Sequence, residues 1–308
     1  MAASGGTKAI LAALFANLGL AIAKFVAFVF TGASSMLAEA IHSVADTSNQ
    51  ALLLLGGRLA RRDATTQHPF GYGRERYFWS FAVALVLFTI GSLYALYEGI
   101  DKIRHPHEID SPVWAFAVLS VGIVLESFSM RTAVVESNRV RGSASWMHFI
   151  RRSRTPELPV VLLEDLGALL GLVLALGALG IATVFDAPVW DGIGTLSIGV
   201  LLGLIAVVLA VEMRSLLLGE SATRADVDAI SKAIASTEGV MGLIHLRTQH
   251  IGPEELLVAA KVSFDPGYTT ADLVEAINRV EENTRAAVPI ARIMYVEPDI
   301  VAERLDGS

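Results

Sequence analysis

The string AEAIHSVAD places His42 and Asp46 four residues apart. On a helix that spacing puts both on one face, one turn from each other. An imidazole and a carboxylate so placed can hold one divalent metal ion, and together they make an ordinary zinc ligand set. The structural alternative is a His–Asp hydrogen bond that only packs helices. Glu39 stands three residues before His42, either as an access-path group or as a helix-end residue. A second acidic pair, Glu164 and Asp165, lies in PVVLLEDLGALLGL. Acids are also favoured in first turns, so one of the two has a helix-start role as its alternative. Glu126, in VLESFSMRTA, either pairs with Arg131 or lines a path. Asn17 and Lys24 read as packing or snorkelling groups, and Asp191 as a residue of a helix's first turn. The chain has no cysteine, so a zinc site here must use His and carboxylates.

These residues sit in apolar surroundings. Six stretches, near 9–31, 34–57, 77–100, 112–136, 159–184 and 189–213, are apolar enough to cross a bilayer, which takes about 20 helical residues. Overall the chain is 53% hydrophobic and 18% charged, with a mean hydropathy of +0.55. A soluble domain carries roughly 45–50% apolar and about 25% charged residues. Ionisable groups at membrane depth are costly and mark function, which is why His42, Asp46 and Asp165 stand out. Small residues inside the stretches suit close helix packing in lipid.

Basic residues set the orientation. Arg58, Arg61, Arg62, Arg74 and Arg76 lie between the second and third stretches, and Arg139, Arg141, Arg151, Arg152 and Arg154 between the fourth and fifth. The segment after the third has only Lys102 and Arg104, offset by Asp101, Glu108 and Asp110. The expectation is a cell (inner) membrane protein with the N-terminus, both arginine-rich loops and the C-terminal domain in the cytoplasm. No cleavable signal peptide is evident.

After Gly219 the pattern becomes that of a soluble domain. A helix over 223–236 capped by Thr223, strands near 242–250 and 255–264, a helix from Thr269 or Thr270 to about 287 and a last strand, ARIMYVEP, give the order αββαβ. The expected fold is thus an α-helical multi-pass membrane protein: a six-helix transmembrane domain over 1–215 and a small cytoplasmic α+β (αββαβ) domain over 216–308. The net charge of -7 gives no nucleic-acid signal. No nucleophile–base pair or nucleotide loop appears, so an enzyme is not expected, and neither is a cofactor.

In order and spacing, TGASSMLAEAIHSVAD, HPFGYGRERY, DGIGTLSIGVLL, LLLGESA and the αββαβ tail resemble the cation diffusion facilitator family over nearly the whole chain. RTPELPVVLLEDLGALLGL is similar to the branch that contains the mitochondrial zinc transporters. The resemblance implies a homodimer. Each protomer would bind a divalent metal between the second and fifth helices and export it from the cytoplasm in exchange for protons. In the family the second helix supplies HxxxD, matched by His42 and Asp46. The fifth usually does so too, but that frame reads Val161 to Asp165 here. Relative to Val161, at about 100° per residue, Glu164 points about 60° to one side and Asp165 about 40° to the other. Glu164 is therefore expected to replace the missing histidine, giving His42, Asp46, Glu164 and Asp165 as the metal ligands.

His68 matches a loop metal position whose partner histidine is Tyr72 here. In the C-terminal domain, family ligand positions fall on Ile244, Lys261, Tyr295 and Glu297, so no metal cluster is expected there. Metal ligands must be deprotonated, so release can be coupled to proton uptake. The imidazole favours zinc. Manganese, iron(II) or cobalt, or a transport-inactive interaction module, are the alternatives.

Overall fold

A computed structural model describes residues 2–31, 34–106 and 112–299. The chain divides into two compact units, one of residues 1–61 and 75–214 and the other of 62–74 and 215–308.

The first unit is helical. Its helices are α1 (Ala2–Thr31), α2 (Ser34–Leu59), α3 (Glu75–Arg104), α4 (Pro112–Arg141), α5 (Trp146–Arg152), α6 (Glu157–Val184) and α7 (Val189–Leu218). Among the described residues, four helices are long and apolar enough to cross a membrane: α3, α4, α6 and α7. In α1 a shorter apolar stretch covers Ile10–Ala23. The polar run Asp46, Thr47, Ser48, Asn49 and Gln50 lowers the hydropathy of α2. Helix α1 packs along α2, α4 along α6, and α1 also against α4 and α6.

Where α3 meets α7, small residues let backbones approach, as lipid-embedded helices require. A Cβ on Gly199 would lie 2.8 Å from the Leu96 nitrogen. The Ser92 hydroxyl donates to the Gly199 carbonyl at 2.8 Å, adding a polar tie at the same crossing. Over Leu87–Leu93, α3 widens into a π-helical turn, a local form that often accompanies functional sites.

At the start of α6 a bidentate ion pair joins it to α3. Arg76 Nε and Nη2 donate to the two Glu157 oxygens, the second at 2.8 Å. Both side chains are nearly enclosed, 13% and 5% exposed.

The second unit contains α8 (Arg224–Ala235), β1 (Val240–Gly252), β2 (Glu255–Phe264), α9 (Thr270–Ala287) and β3 (Ile293–Asp299). That is the αββαβ order expected from the sequence. The sheet order is β1-β2-β3, with β1 antiparallel and β3 parallel to β2. Along β2, Leu256, Val258, Ala260 and Val262 alternate inward, and Ile230, Ile234, Ala276 and Val280 of the two helices close over them. Thr223 caps α8, and Thr269 caps α9 in a reciprocal box with Asp272. The segment 62–74 belongs to this unit. Gly73 rests so close to β1 that a Cβ there would lie 2.8 Å from the Ile251 carbonyl oxygen and 2.9 Å from Gly252 Cα.

Candidate functional site

Asp46 of α2 and Glu164 and Asp165 of α6 line one cavity inside the helical unit, with a volume of about 140 Å³. Asn17 of α1, Ser43 of α2 and Glu126 of α4 complete its polar wall, and Leu87, Gly167, Gly171 and Leu202 are among its apolar lining. Gly167 of α6 lets α7 pack close, since a Cβ there would lie 2.8 Å from Ile205 Cδ1. His42 lies one turn before Asp46 on α2, and its side chain is outside the described residues, as are those of Glu39 and Lys24. Among the described residues, no three His, Asp or Glu side chains stand close enough to hold one ion.

Each acid on α6 has its own partners. Asp165 is 2% exposed, and its Oδ2 accepts from the Ser129 hydroxyl of α4 at 2.7 Å. Glu164 is also buried and accepts two amide hydrogens from α2. Asn49 Nδ2 donates to Oε1 at 2.9 Å and Gln50 Nε2 to Oε2 at 3.0 Å. This pair of hydrogen bonds also ties α2 to α6. Glu126 is buried and lines the cavity.

Asn17, which reads in the sequence as a packing or snorkelling group, ties α1 to α2. It is buried, faces the cavity and donates to Gln50 Oε1 at 3.3 Å. Ser129, Asn49 and Gln50 escaped the sequence reading altogether. A signal existed for two of them: Asn49 and Gln50 follow Asp46 by three and four residues, on the face it occupies.

Asp191 stands in the first turn of α7, where its carboxylate meets Lys102 Nζ at 2.9 Å. In the second unit, the His68 ring stacks at a tilt on Tyr72, 4.6 Å between centroids. Lys261 of β2 reaches Asp299 at 2.8 Å and Glu297 at 3.3 Å. These hydrogen-bonded carboxylates, Asp299 first, hold its ammonium above the ordinary lysine range. Ile244 and Tyr295 are exposed.

Residues 10–218 match the family model described as the cation efflux transmembrane domain. The chain belongs to the cation efflux family. Among the relatives of this cation efflux protein is the mitochondrial proton-coupled zinc antiporter SLC30A9 of Xenopus laevis, 33% identical over 82% of this chain and 45% of the relative. The Homo sapiens antiporter of the same name is 31% identical over 88% of this chain and 48% of its own length. Metal tolerance protein C4 of Arabidopsis thaliana is 27% identical over 89% of this chain and 60% of its own. The chain thus spans about half the length of the SLC30A9 relatives it matches.

These relatives overturn one expectation. A cell (inner) membrane location with cytoplasmic termini does not stand, because the SLC30A9 relatives are named mitochondrial. Arginine asymmetry orients helices across a membrane, but it carries no information about which membrane that is.

Proposed function

We propose that the chain is a secondary active transporter that exchanges a divalent metal cation, zinc first, for protons. The observation that carries this is that Asp46 of α2 and Glu164 and Asp165 of α6 line one cavity within the helical unit. Carboxylates from two helices around a cavity fit a cation as cargo. Groups so enclosed by apolar helices are costly unless used. The ligand set is His42, Asp46, Glu164 and Asp165. The names of the SLC30A9 relatives, proton-coupled zinc antiporters, support both the cargo and the coupling. In this reading α1, α2, α3, α4, α6 and α7 make six spans, which leaves the arginine-rich loops and the αββαβ unit on one side. The working form is a homodimer.

Proton exchange follows from ligand chemistry. The imidazole and the carboxylates bind metal only when deprotonated, so proton arrival on one side displaces the cation. A site with one imidazole and three carboxylates is harder than the two-imidazole set of the family pattern. That favours a second cargo, manganese or iron(II), alongside zinc.

The test is cation flux into proteoliposomes holding the purified chain, with zinc, manganese and iron(II) each offered with and without a pH gradient. The expected result is zinc uptake that rises with an opposing proton gradient and is lost in Asp46→Ala and Asp165→Ala. Native flux in Asp46→Ala refutes the site. Absence of flux for every cation makes the chain a membrane interaction module.

A further inference from the structure

Glu164 is held at both oxygens by neutral amides that come from consecutive positions of one helix. Asn49 takes Oε1 and Gln50 takes Oε2, at 2.9 and 3.0 Å. The Gln50 carbonyl in turn accepts from Asn17 Nδ2 at 3.3 Å. All four side chains are buried, and the bonds run from α1 through α2 to α6. One hydrogen bond is enough to latch two apolar helices. Two donors on two oxygens also fix the plane of the carboxylate.

The arrangement carries its own cost. Asn49 Oδ1 is buried without a hydrogen-bond partner, and an unsatisfied buried acceptor is destabilising. Asn49 therefore keeps its donor on Glu164 at the expense of its acceptor. The donors are also uncharged. A lysine or arginine in their place would cancel the charge of Glu164, whereas amides leave that charge available to the cavity. Each carboxylate oxygen has a second lone pair beyond the one an amide occupies.

We infer that Asn49 and Gln50 are positioning residues for the transported cation. They set the Glu164 carboxylate on the cavity wall, and Asn17 fixes Gln50. This rests on the proposed role of Glu164 as a cation ligand. Asn49 and Gln50 stand one turn beyond Asp46 on the same face of α2. One helix thus presents its own ligand and orients the ligand of its partner, so any shift of α2 moves both together.

The test uses the full chain in detergent. Zinc binding is measured by titration calorimetry, and thermal unfolding serves as the control for folding. Glu164→Gln is expected to weaken zinc binding by about 100-fold, and Asn49→Leu and Gln50→Leu by about tenfold each, from the hydrogen bond to a charged acceptor that each loses. The decisive variant is the exchange Gln50→Glu with Glu164→Gln. It preserves the donors and acceptors between α1, α2 and α6, so the unfolding temperature returns to the native value. It also moves the carboxylate from α6 to α2, so zinc affinity stays low.

Native affinity in Asn49→Leu and Gln50→Leu, with Glu164→Gln impaired, overturns the positioning role and leaves the cavity as the cation site. Native affinity in Glu164→Gln removes Glu164 from the ligand set, and the inference with it. Native affinity in the exchange variant makes the four residues a latch between helices and overturns the inference. If Gln50→Leu does not fold, the exchange variant decides alone.

Discussion

The Ser129 hydroxyl reaches the Asp165 carboxylate across 2.7 Å, joining α4 to α6 at the wall of the cavity. Asp165 is 2% exposed. Removing one donor from a buried carboxylate costs about 1–3 kcal/mol. Ser129→Ala is therefore expected to slow zinc flux about tenfold and to lower the unfolding temperature. Ser129→Thr, which keeps the hydroxyl, should retain most of the flux. Proteoliposome transport across the two variants checks this. Equal loss in both would mean that packing at 129, and not the hydrogen bond, supports Asp165.

The Arg76–Glu157 pair is a separate matter of stability. Its side chains are 13% and 5% exposed, and it links the first turns of α3 and α6. Removing one partner of a buried pair leaves an uncompensated charge, at about 3–5 kcal/mol. Glu157→Ala should therefore lower the unfolding temperature sharply. Arg76→Met combined with Glu157→Leu should recover much of it, since no charge is then left enclosed. Thermal unfolding in detergent of the single and double variants makes the comparison. A double variant no better than the single ones would show that the pair itself holds the helices.

How much of this was readable beforehand depended on the kind of interaction. Asp46 and Asp165 stood out because charge inside an apolar run has few neutral explanations. The αββαβ unit was legible because its strands alternate and Thr223 and Thr269 cap their helices in the expected way. Asn49, Gln50 and Ser129 carry no sequence mark of a site role, and Asn17 reads only as a packing or snorkelling group, because polar amides and hydroxyls are common in membrane helices. Their bonds span 33 to 115 positions of sequence, so local spacing can place Asn49 and Gln50 on the face of Asp46 but cannot name their partners. The π-helical turn at Leu87–Leu93 has no compositional mark either: LFTIGSL reads as an ordinary apolar helix. The attachment of 62–74 to the second unit depends on a backbone contact that hydropathy does not register.

Asp272 gives the second unit a pH dependence. Hydrogen bonds from the Thr269 side chain and backbone hold its carboxyl below the ordinary value. A carboxyl with a lowered folded pKa adds stability that is complete above its unfolded value of about 3.9. That stability drains away as pH falls through the lower folded value. At pH 7, Asp272→Asn should speed amide hydrogen exchange in the first turn of α9 relative to the native chain. At about pH 3 and below the difference should shrink. A difference that persists undiminished in acid would assign the effect to the shape of the capping box and not to its charge.

The last expectation concerns the segment 62–74. Gly71 and Gly73 are two residues apart, but different constraints make each a glycine. At Gly71 the backbone is left-handed, with φ +77°, and nothing lies within 4 Å of where a Cβ would be. The constraint there is conformational, and Asn satisfies left-handed backbone about as well as any residue with a side chain. At Gly73 the constraint is space. A Cβ would stand 2.8 Å from the Ile251 oxygen and 2.9 Å from Gly252 Cα. Both are backbone atoms of the sheet edge and cannot rotate away as a side chain would. Forced overlap of this kind costs about 1–3 kcal/mol. Gly73→Val should therefore release 62–74 from β1, while Gly71→Asn should leave it docked. Arg74 lies beside the contact, so trypsin can report the difference. Cleavage after Arg74 should speed up in Gly73→Val and stay near the native rate in Gly71→Asn. The reverse order would mean that the left-handed turn, and not the close approach of Gly73 to Gly252, holds the segment in place.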